Sequence, residues 1–244
     1  MKKTLKHLEL FAGIGGFRRA IDLYCKDNNL TSECVGFSEI DKYATLTYKS
    51  NYDTSNEIEI GDIQEFASSI KNINSLPDFD LLSGGFPCQA FSMMGQQKGF
   101  EDKRGTLFFN IMKFVEYHKP RIIILENVQG LLNHDGGKTF ERIKCDIETA
   151  NYKIAYKVIK CSDYGLPQMR KRLIIVGIRN DVETAKHIDK ILDLDEYKQE
   201  QKHFSSLRKY KTQILDITRE LLSKTDKQIT TDVNEIFEGY TKTL

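Results

Sequence analysis

The stretch LELFAGIGGF, Leu8 to Phe17, decides the fold. An apolar strand end runs into Gly13, Gly15 and Gly16, and the segment from Gly16 to Asn28 carries a helical pattern. Glycine at such a junction lets the backbone turn tightly and approach a ligand at the helix N-terminus, where unpaired N–H groups gather. Working outward, four more apolar runs, ECVGFSEI, FDLLSGG, RIIILENV and RLIIVGI, alternate with helical segments over Asp41 to Ser50, Thr106 to His118 and Gly137 to Ala150. These runs are too apolar for a sheet with one wet face. They predict an α/β fold: a doubly wound, mostly parallel sheet with helices on both faces.

A sheet of this kind binds its ligand beyond the carboxyl ends of its strands. The second run ends at Glu39, where doubly wound sheets place an acid that binds ribose hydroxyls. Asp62, in EIGDI, is a further strand-end acid able to accept from an adenine amino group, with Ile40 and Ile63 as apolar walls. Taken singly, each carboxylate reads as a solvated loop residue or a helix cap. Together with the glycine turn, at successive strand ends, they read as a nucleoside site. The spacing GIGG lacks the third glycine of the dinucleotide fingerprint and has no phosphate-binding lysine, so a nucleoside with an uncharged tail, such as S-adenosylmethionine, fits better than a dinucleotide or a triphosphate.

The 244 residues, 40% apolar and 29% charged, bury a core and leave room for an appendage. Composition changes near residue 180. All four prolines and 15 of the 16 glycines precede it. The expected division is a catalytic domain over 1–180 and a helical tail over 181–244. In the tail Leu207, Tyr210, Ile214, Ile217 and Leu221 repeat at heptad spacing, and Val233, Ile236, Phe237 and Tyr240 form a second stripe. No run approaches the roughly 18 apolar residues of a membrane span, and the N-terminus enters a strand without a signal-peptide cleavage pattern. A cytoplasmic protein without a membrane partner is expected. The five cysteines are odd in number and none form the paired short spacings of a zinc site, so reduced thiols and no metal are expected. Net charge is +1 with a pI near 7.6, well short of the value above about 9 that marks a stand-alone nucleic-acid-binding domain.

A second stretch carries the chemistry. In GGFPCQAFSMMG, Gly84 to Gly95, Cys88 follows the strand FDLLSGG at the edge where the nucleoside should lie. A lone cysteine is usually an inert buried thiol. Here Pro87 and two glycines precede it, and a polar, glycine-punctuated segment with the composition of a mobile loop follows. RIIILENV brings Glu126 to the same edge, and QMRKRL, ahead of the last strand, adds Arg170 and Arg172. A thiol, a carboxyl group and two arginines are thus expected in one pocket.

The segments LFAGIGGF, SEIDKYA, GDI, GGFPCQAFS, GFEDKRGTLFF, ENV and DYGLPQMRKR, in this order over roughly residues 5 to 180, resemble the cytosine-5 DNA methyltransferases of bacterial restriction-modification systems. The resemblance implies a Rossmann-like S-adenosylmethionine-dependent methyltransferase acting on double-stranded DNA. It implies Cys88 as the nucleophile, Glu126 and Arg172 at the ring nitrogen and exocyclic oxygen of cytosine, and Arg170 ordering the loop or the carboxyl group. For the cofactor it implies Phe11 stacked on adenine, Glu39 on the ribose, Asp62 on the adenine amino group, and Ile14, Gly16, Ile40, Ile63, Pro87 and Leu107 as the remaining wall. A base stacked in duplex must be flipped out to react, with Gln89, Ser92 and Met94 filling or bracing the gap and Arg104 on a phosphate.

One departure is large: no variable target-recognition region and no closing Gly-Asn-Ser element follow RLIIVGIRND. The primary expectation is the catalytic part of a split or truncated enzyme, its tail docking a second polypeptide that supplies target recognition. The alternatives are a non-catalytic remnant that binds S-adenosylmethionine or DNA, and an RNA cytosine methyltransferase.

Overall fold

The computed structural model describes residues 3–87, 107–164 and 168–193. The chain forms β1 (Thr4–Leu10), α1 (Gly16–Asp27), β2 (Thr31–Ser38), α2 (Lys42–Asn51), β3 (Ile58–Glu59), the short helices α3 (Ile63–Phe66) and α4 (Ile70–Ser75), β4 (Leu81–Gly85), α5 (Leu107–His118), β5 (Ile122–Val128), α6 (Lys138–Thr149), β6 (Tyr152–Lys160) and β7 (Lys171–Arg179). The strands make one sheet in the order β3-β2-β1-β4-β5-β7-β6. All pairings from β3 through β5 are parallel, as the apolar runs predict, and β7 runs antiparallel to both its neighbours. The chain winds outward from β1 to β3 and then returns to β4 beside β1. That reversal opens a crevice at the carboxyl ends of β1 and β4, where sheets of this type take their ligands.

Alternate residues of each strand feed two apolar layers. Leu8, Leu10, Leu82, Ile123, Leu125, Leu173 and Ile175 meet residues of α3 to α6, among them Ile63, Ile73, Phe108, Ile111, Phe114, Phe140 and Ile143. On the other face Ile21 and Cys25 of α1 pack on Leu81, with Ile122 and Ile124 at the margin, and Tyr48 of α2 packs on Phe37 and Ala12. Helices thus cover both faces, and the sheet is a mostly parallel doubly wound one.

Strand β6 does not stand out in the sequence as an apolar run. It is the edge strand, and its residues YKIAYKVIK interleave lysines with apolar groups. Strand β7 reverses direction because it follows β6 after a connection of ten residues, without the dozen or more that a parallel crossover needs. The reversal has a consequence for the site: Arg172, near the start of β7, lies opposite Val128 at the end of β5.

The chain divides into two compact units, Met1–Lys160 with Arg170–Glu196, and Cys161–Met169 with Tyr197–Leu244. In the first, Ala185 and Ile188 pack with Val176 and Ile178, so apolar packing runs past residue 180. Of the second, the described residues are a single 3-10 turn, Cys161–Tyr164, and Gln168 and Met169. The two apolar stripes of the tail lie outside the described residues. Among the described residues no helix is long and apolar enough to cross a membrane.

Candidate active site

The glycine turn holds the conformations its residues predict. Gly13 and Gly15 have φ of +56° and +92°, and Gly15 occupies the N-cap position of α1. Phe11 also has a positive φ, +55°. A bulky residue in that region is held there at a cost of about 1–3 kcal/mol, and such positions gather at ligand sites.

Glu39, just beyond β2, binds three backbone N–H groups. Its Oε2 accepts from Gly13 at 2.8 Å, and its Oε1 accepts from Ile40 at 2.9 Å and Asp41 at 2.8 Å. The carboxylate therefore ties the end of β2 to the glycine turn, and its remaining lone pair, on Oε2, is available to a ligand hydroxyl. Asp62 caps α3, its Oδ1 accepting from Gln64 N–H at 2.7 Å. Capping engages one oxygen and leaves Oδ2 without a hydrogen bond to the described residues. The Ser38 hydroxyl donates to the Gly61 carbonyl at 2.8 Å, joining the two strand ends that carry these acids.

These groups line one cleft of about 120 Å³, with walls from Phe11, Ser38, Glu39, Ile40, Asp62, Ile63, Gln64, Pro87 and Leu107. Seven of the nine expected cofactor residues meet there. Ile14 and Gly16 do not line it, and Ile14 is exposed. Ser38 and Gln64 are additions that the sequence reading misses. Each sits one residue from a chosen position, so no separate motif marks it. The cleft is smaller than the roughly 300–1,000 Å³ pockets that enclose whole ligands, and matches one end of a nucleoside. Among the described residues its walls carry no lysine or arginine, which suits a base and ribose and not a phosphate. A larger and more open groove of about 450 Å³ lies along β6, between Ile154–Lys157 and Asp189–Asp193, away from the strand ends that carry these acids.

The second cluster lies at the end of β5. Glu126 is level with Gly85, the last residue of β4, and a side chain at Gly85 would meet Glu126 Oε2 at 3.4 Å. Arg172 Nε lies 2.5 Å from Glu126 Oε1, and Arg170 lies 3.8 Å from the same oxygen. The three expected polar groups are thus brought together, with Arg172 ion-paired with the carboxylate and Arg170 half-exposed beside it. Asn127, which the sequence reading leaves unused, is buried. Its Nδ2 donates to the Phe86 carbonyl at 2.8 Å and its Oδ1 accepts from Val128 N–H. It therefore fixes the backbone that leads into Pro87. Its buried polar side chain in the middle of an apolar run, next to Glu126, is the signal that could have found it. Cys88, Gln89, Ser92, Met94 and Arg104 lie outside the described residues.

The family model for the C-5 cytosine-specific DNA methylases matches residues 5–243. The chain belongs to that family. Similar curated proteins include the type II methyltransferase M.DsaV of Dactylococcopsis salina, 44% identical over 73% of this chain and 47% of that protein, and the type II methyltransferase M.HhaI of Haemophilus parahaemolyticus, 42% identical over 73% of this chain and 50% of that protein. The chain spans about half the length of these relatives. Among solved structures, the Dnmt2 methyltransferase of S. pombe superposes with a TM-score of 0.58 at 22% identity, over 82% of this chain and 56% of that one, a likeness of fold.

Proposed function

We propose that this C-5 cytosine methylase chain is the catalytic part of a DNA (cytosine-5-)-methyltransferase. In this reading 1–180 form the catalytic domain and 181–244 a tail that docks a second polypeptide. The observation that carries the reading is the placement of two clusters at one sheet edge. A cleft that matches one end of a nucleoside, lined by no lysine or arginine among the described residues, and a Glu126–Arg172 pair flank the backbone that leads, through Phe86 and Pro87, to Cys88. S-adenosylmethionine, held by Phe11, Glu39, Ile40, Asp62 and Ile63, supplies the methyl group.

Carbon 5 of cytosine is a weak nucleophile in an aromatic ring. The thiolate of Cys88 adds at carbon 6, forming a C–S bond and pushing the ring electrons toward nitrogen 3. Glu126 in its acid form meets nitrogen 3 with a hydrogen bond or proton, and Arg172 holds the exocyclic oxygen. Carbon 5 of the resulting enamine takes the methyl group from the sulfonium of S-adenosylmethionine, whose S–CH3 bond breaks to leave S-adenosylhomocysteine. Loss of the carbon-5 proton to a base then expels the thiolate and restores the ring. The base must leave the duplex for any of this, and Gln89, Ser92, Met94 and Arg104 are assigned to the gap and the backbone.

The test is covalent trapping. With S-adenosylmethionine and any required partner, duplex carrying 5-fluorocytosine should yield a denaturant-resistant adduct with the wild-type chain, because fluorine cannot leave as a proton does. Cys88→Ser should give none. A wild-type complex that always dissociates in denaturant would remove the covalent route, and an adduct through Cys145 or Cys161 would remove the assignment.

A further inference from the structure

Behind the glycine turn lies a buried polar cluster that the proposed reaction does not use. Glu9, two residues before Phe11 on β1, is fully buried. Its Oε1 accepts the Arg18 backbone N–H at 3.2 Å, and its Oε2 accepts the Tyr48 hydroxyl at 3.1 Å. Arg18 is the third residue of α1, whose N-cap, Gly15, has no side chain to offer. The first N–H groups of a helix need outside acceptors. Glu9 serves from the strand as the capping group that Gly15 cannot provide, and the same carboxylate holds α2 through Tyr48.

We infer that Glu9 is a positioning residue whose ionisation is coupled to cofactor binding through the N-terminus of α1 and the glycine turn. The inference rests on the nucleoside reading of the cleft. The connection is short. Glu9 holds the first turn of α1, the Tyr52 hydroxyl donates to the Gly15 carbonyl at 2.8 Å, and Gly13 N–H donates to Glu39 in the cleft wall. A protonated Glu9 keeps one carbonyl acceptor but turns its other oxygen into a donor. Only the anion accepts from both the Arg18 N–H and the Tyr48 hydroxyl and holds α1 and α2 together.

The ionisable groups around Glu9 leave its charge open to this coupling. From its own strand His7 faces the same layer. Arg18 and Asp22 come from α1, Cys34 from β2, Tyr48 and Tyr52 from α2 and its end, and Glu57 from the segment before β3. The Arg18 guanidinium is already matched by Glu57 at 2.6 Å and Asp22 at 3.1 Å, so it does not hold Glu9 as an anion by itself. Burial pushes the Glu9 carboxyl up to about 7, against the pull of the Arg18 N–H and the Tyr48 hydroxyl. Linkage then requires that cofactor binding, by favouring the anion, release a proton near neutral pH.

Titration calorimetry of the 244-residue chain with S-adenosylmethionine at pH 6, 7 and 8, in two buffers of different ionisation enthalpy, tests this. The wild type should bind about fivefold or more weakly at pH 6 than at pH 8 and release a fraction of a proton at pH 7. Glu9→Gln, which keeps one acceptor as the protonated acid does but cannot ionise, should bind with little pH dependence and release none. Equal pH dependence and proton release in Glu9→Gln would overturn the inference. Should that variant not fold, carbon-13 NMR of the wild-type glutamate carboxyls must show the Glu9 midpoint moving down when cofactor is added; an unmoved midpoint overturns it. A wild type that binds no cofactor at any pH would instead overturn the nucleoside reading and this inference with it.

Discussion

His7 and Glu9 lie two residues apart on β1, both fully buried, and burial acts on them in opposite directions. It lowers the His7 imidazole from near 6.5 to about 4, with the positive Arg18 adding to the effect, and raises the Glu9 carboxyl from near 4.5 to about 7. Between about 4 and 6.5 the unfolded chain binds a proton at His7 that the fold refuses, so stability falls as pH falls through that window. Between about 4.5 and 7 the fold keeps a proton at Glu9 that the unfolded chain releases, so stability falls as pH rises. Each term is on the order of 3 kcal/mol, and over most of the range they cancel. Urea midpoints should therefore be nearly flat from pH 4.5 to 6.5 for the wild type and climb steadily over the same range for Glu9→Gln. Parallel curves would mean that Glu9 titrates as an ordinary acid. In the proposed function the two strand-end acids, Glu39 and Asp62, differ from this pair in facing the cofactor. Glu39→Ala strands three backbone donors and Asp62→Ala uncaps α3, and each should weaken S-adenosylmethionine binding by roughly 1–3 kcal/mol, with the larger loss of Tm in Glu39→Ala. Unchanged calorimetric affinity in both would reduce them to structural caps.

At the scale of elements, legibility followed how local the signal is. The helices α1, α2, α5 and α6 fall within a residue or two of the stretches that the sequence marks, since caps and apolar periodicity are local features. The strands next to β1 are legible because they are buried on both faces. Edge strand β6 is not, because lysines interleave with its apolar residues, and without it the hairpin-like connection that reverses β7 is hidden too. The direction of β7 leaves no mark on the alternation of its side chains; only the pairing of Arg172 opposite Val128 shows it. Of the seven expected cofactor residues that line the cleft, Glu39, Ile40, Asp62 and Ile63 are legible because they lie within two residues of a strand end or helix start. Phe11, Pro87 and Leu107 follow from the family resemblance, whereas the support of the turn by Glu9 and Tyr52 depends on contacts nine and 37 residues apart. That support makes the glycines unequal. A Cβ on Gly15 would lie 2.2 Å from the Tyr52 ring, and its φ is +92°, while a Cβ on Gly16 meets nothing within 4 Å. Gly15→Ala should cost roughly 2–5 kcal/mol from strain and overpacking, and Gly16→Ala should leave the thermal midpoint near that of the wild type. Equal midpoints for the two variants would show that Tyr52 swings aside and does not brace the turn.

For the whole molecule the decisive quantity is charge. Residues 1–180 carry 25 Lys and Arg against 22 Asp and Glu, and the tail 11 against 13, so the 244 residues sum to +1. Non-specific DNA affinity comes mainly from cations that neutralise phosphates and release counterions, and a chain so nearly neutral generates little of the field that steers DNA to a site. The Arg172 and Arg170 charges at the sheet edge are shared with Glu126, which lessens what they offer a phosphate. On the proposed reading, the described groups at this edge serve the base and the cofactor, and the cationic surface for the duplex lies on the second polypeptide. Transfer of labelled methyl from S-adenosylmethionine to DNA should be negligible for the purified chain and appear when a polypeptide carrying target recognition is added. Cofactor affinity should be the same with and without it. Charged substitutions at Ile214 and Ile217, in the apolar stripe of the tail, should weaken that complementation and leave cofactor binding intact. Efficient methylation of one defined DNA sequence by the 244 residues alone would sink the split reading, and would require a DNA-reading surface built from far fewer cations than phosphate neutralisation ordinarily demands.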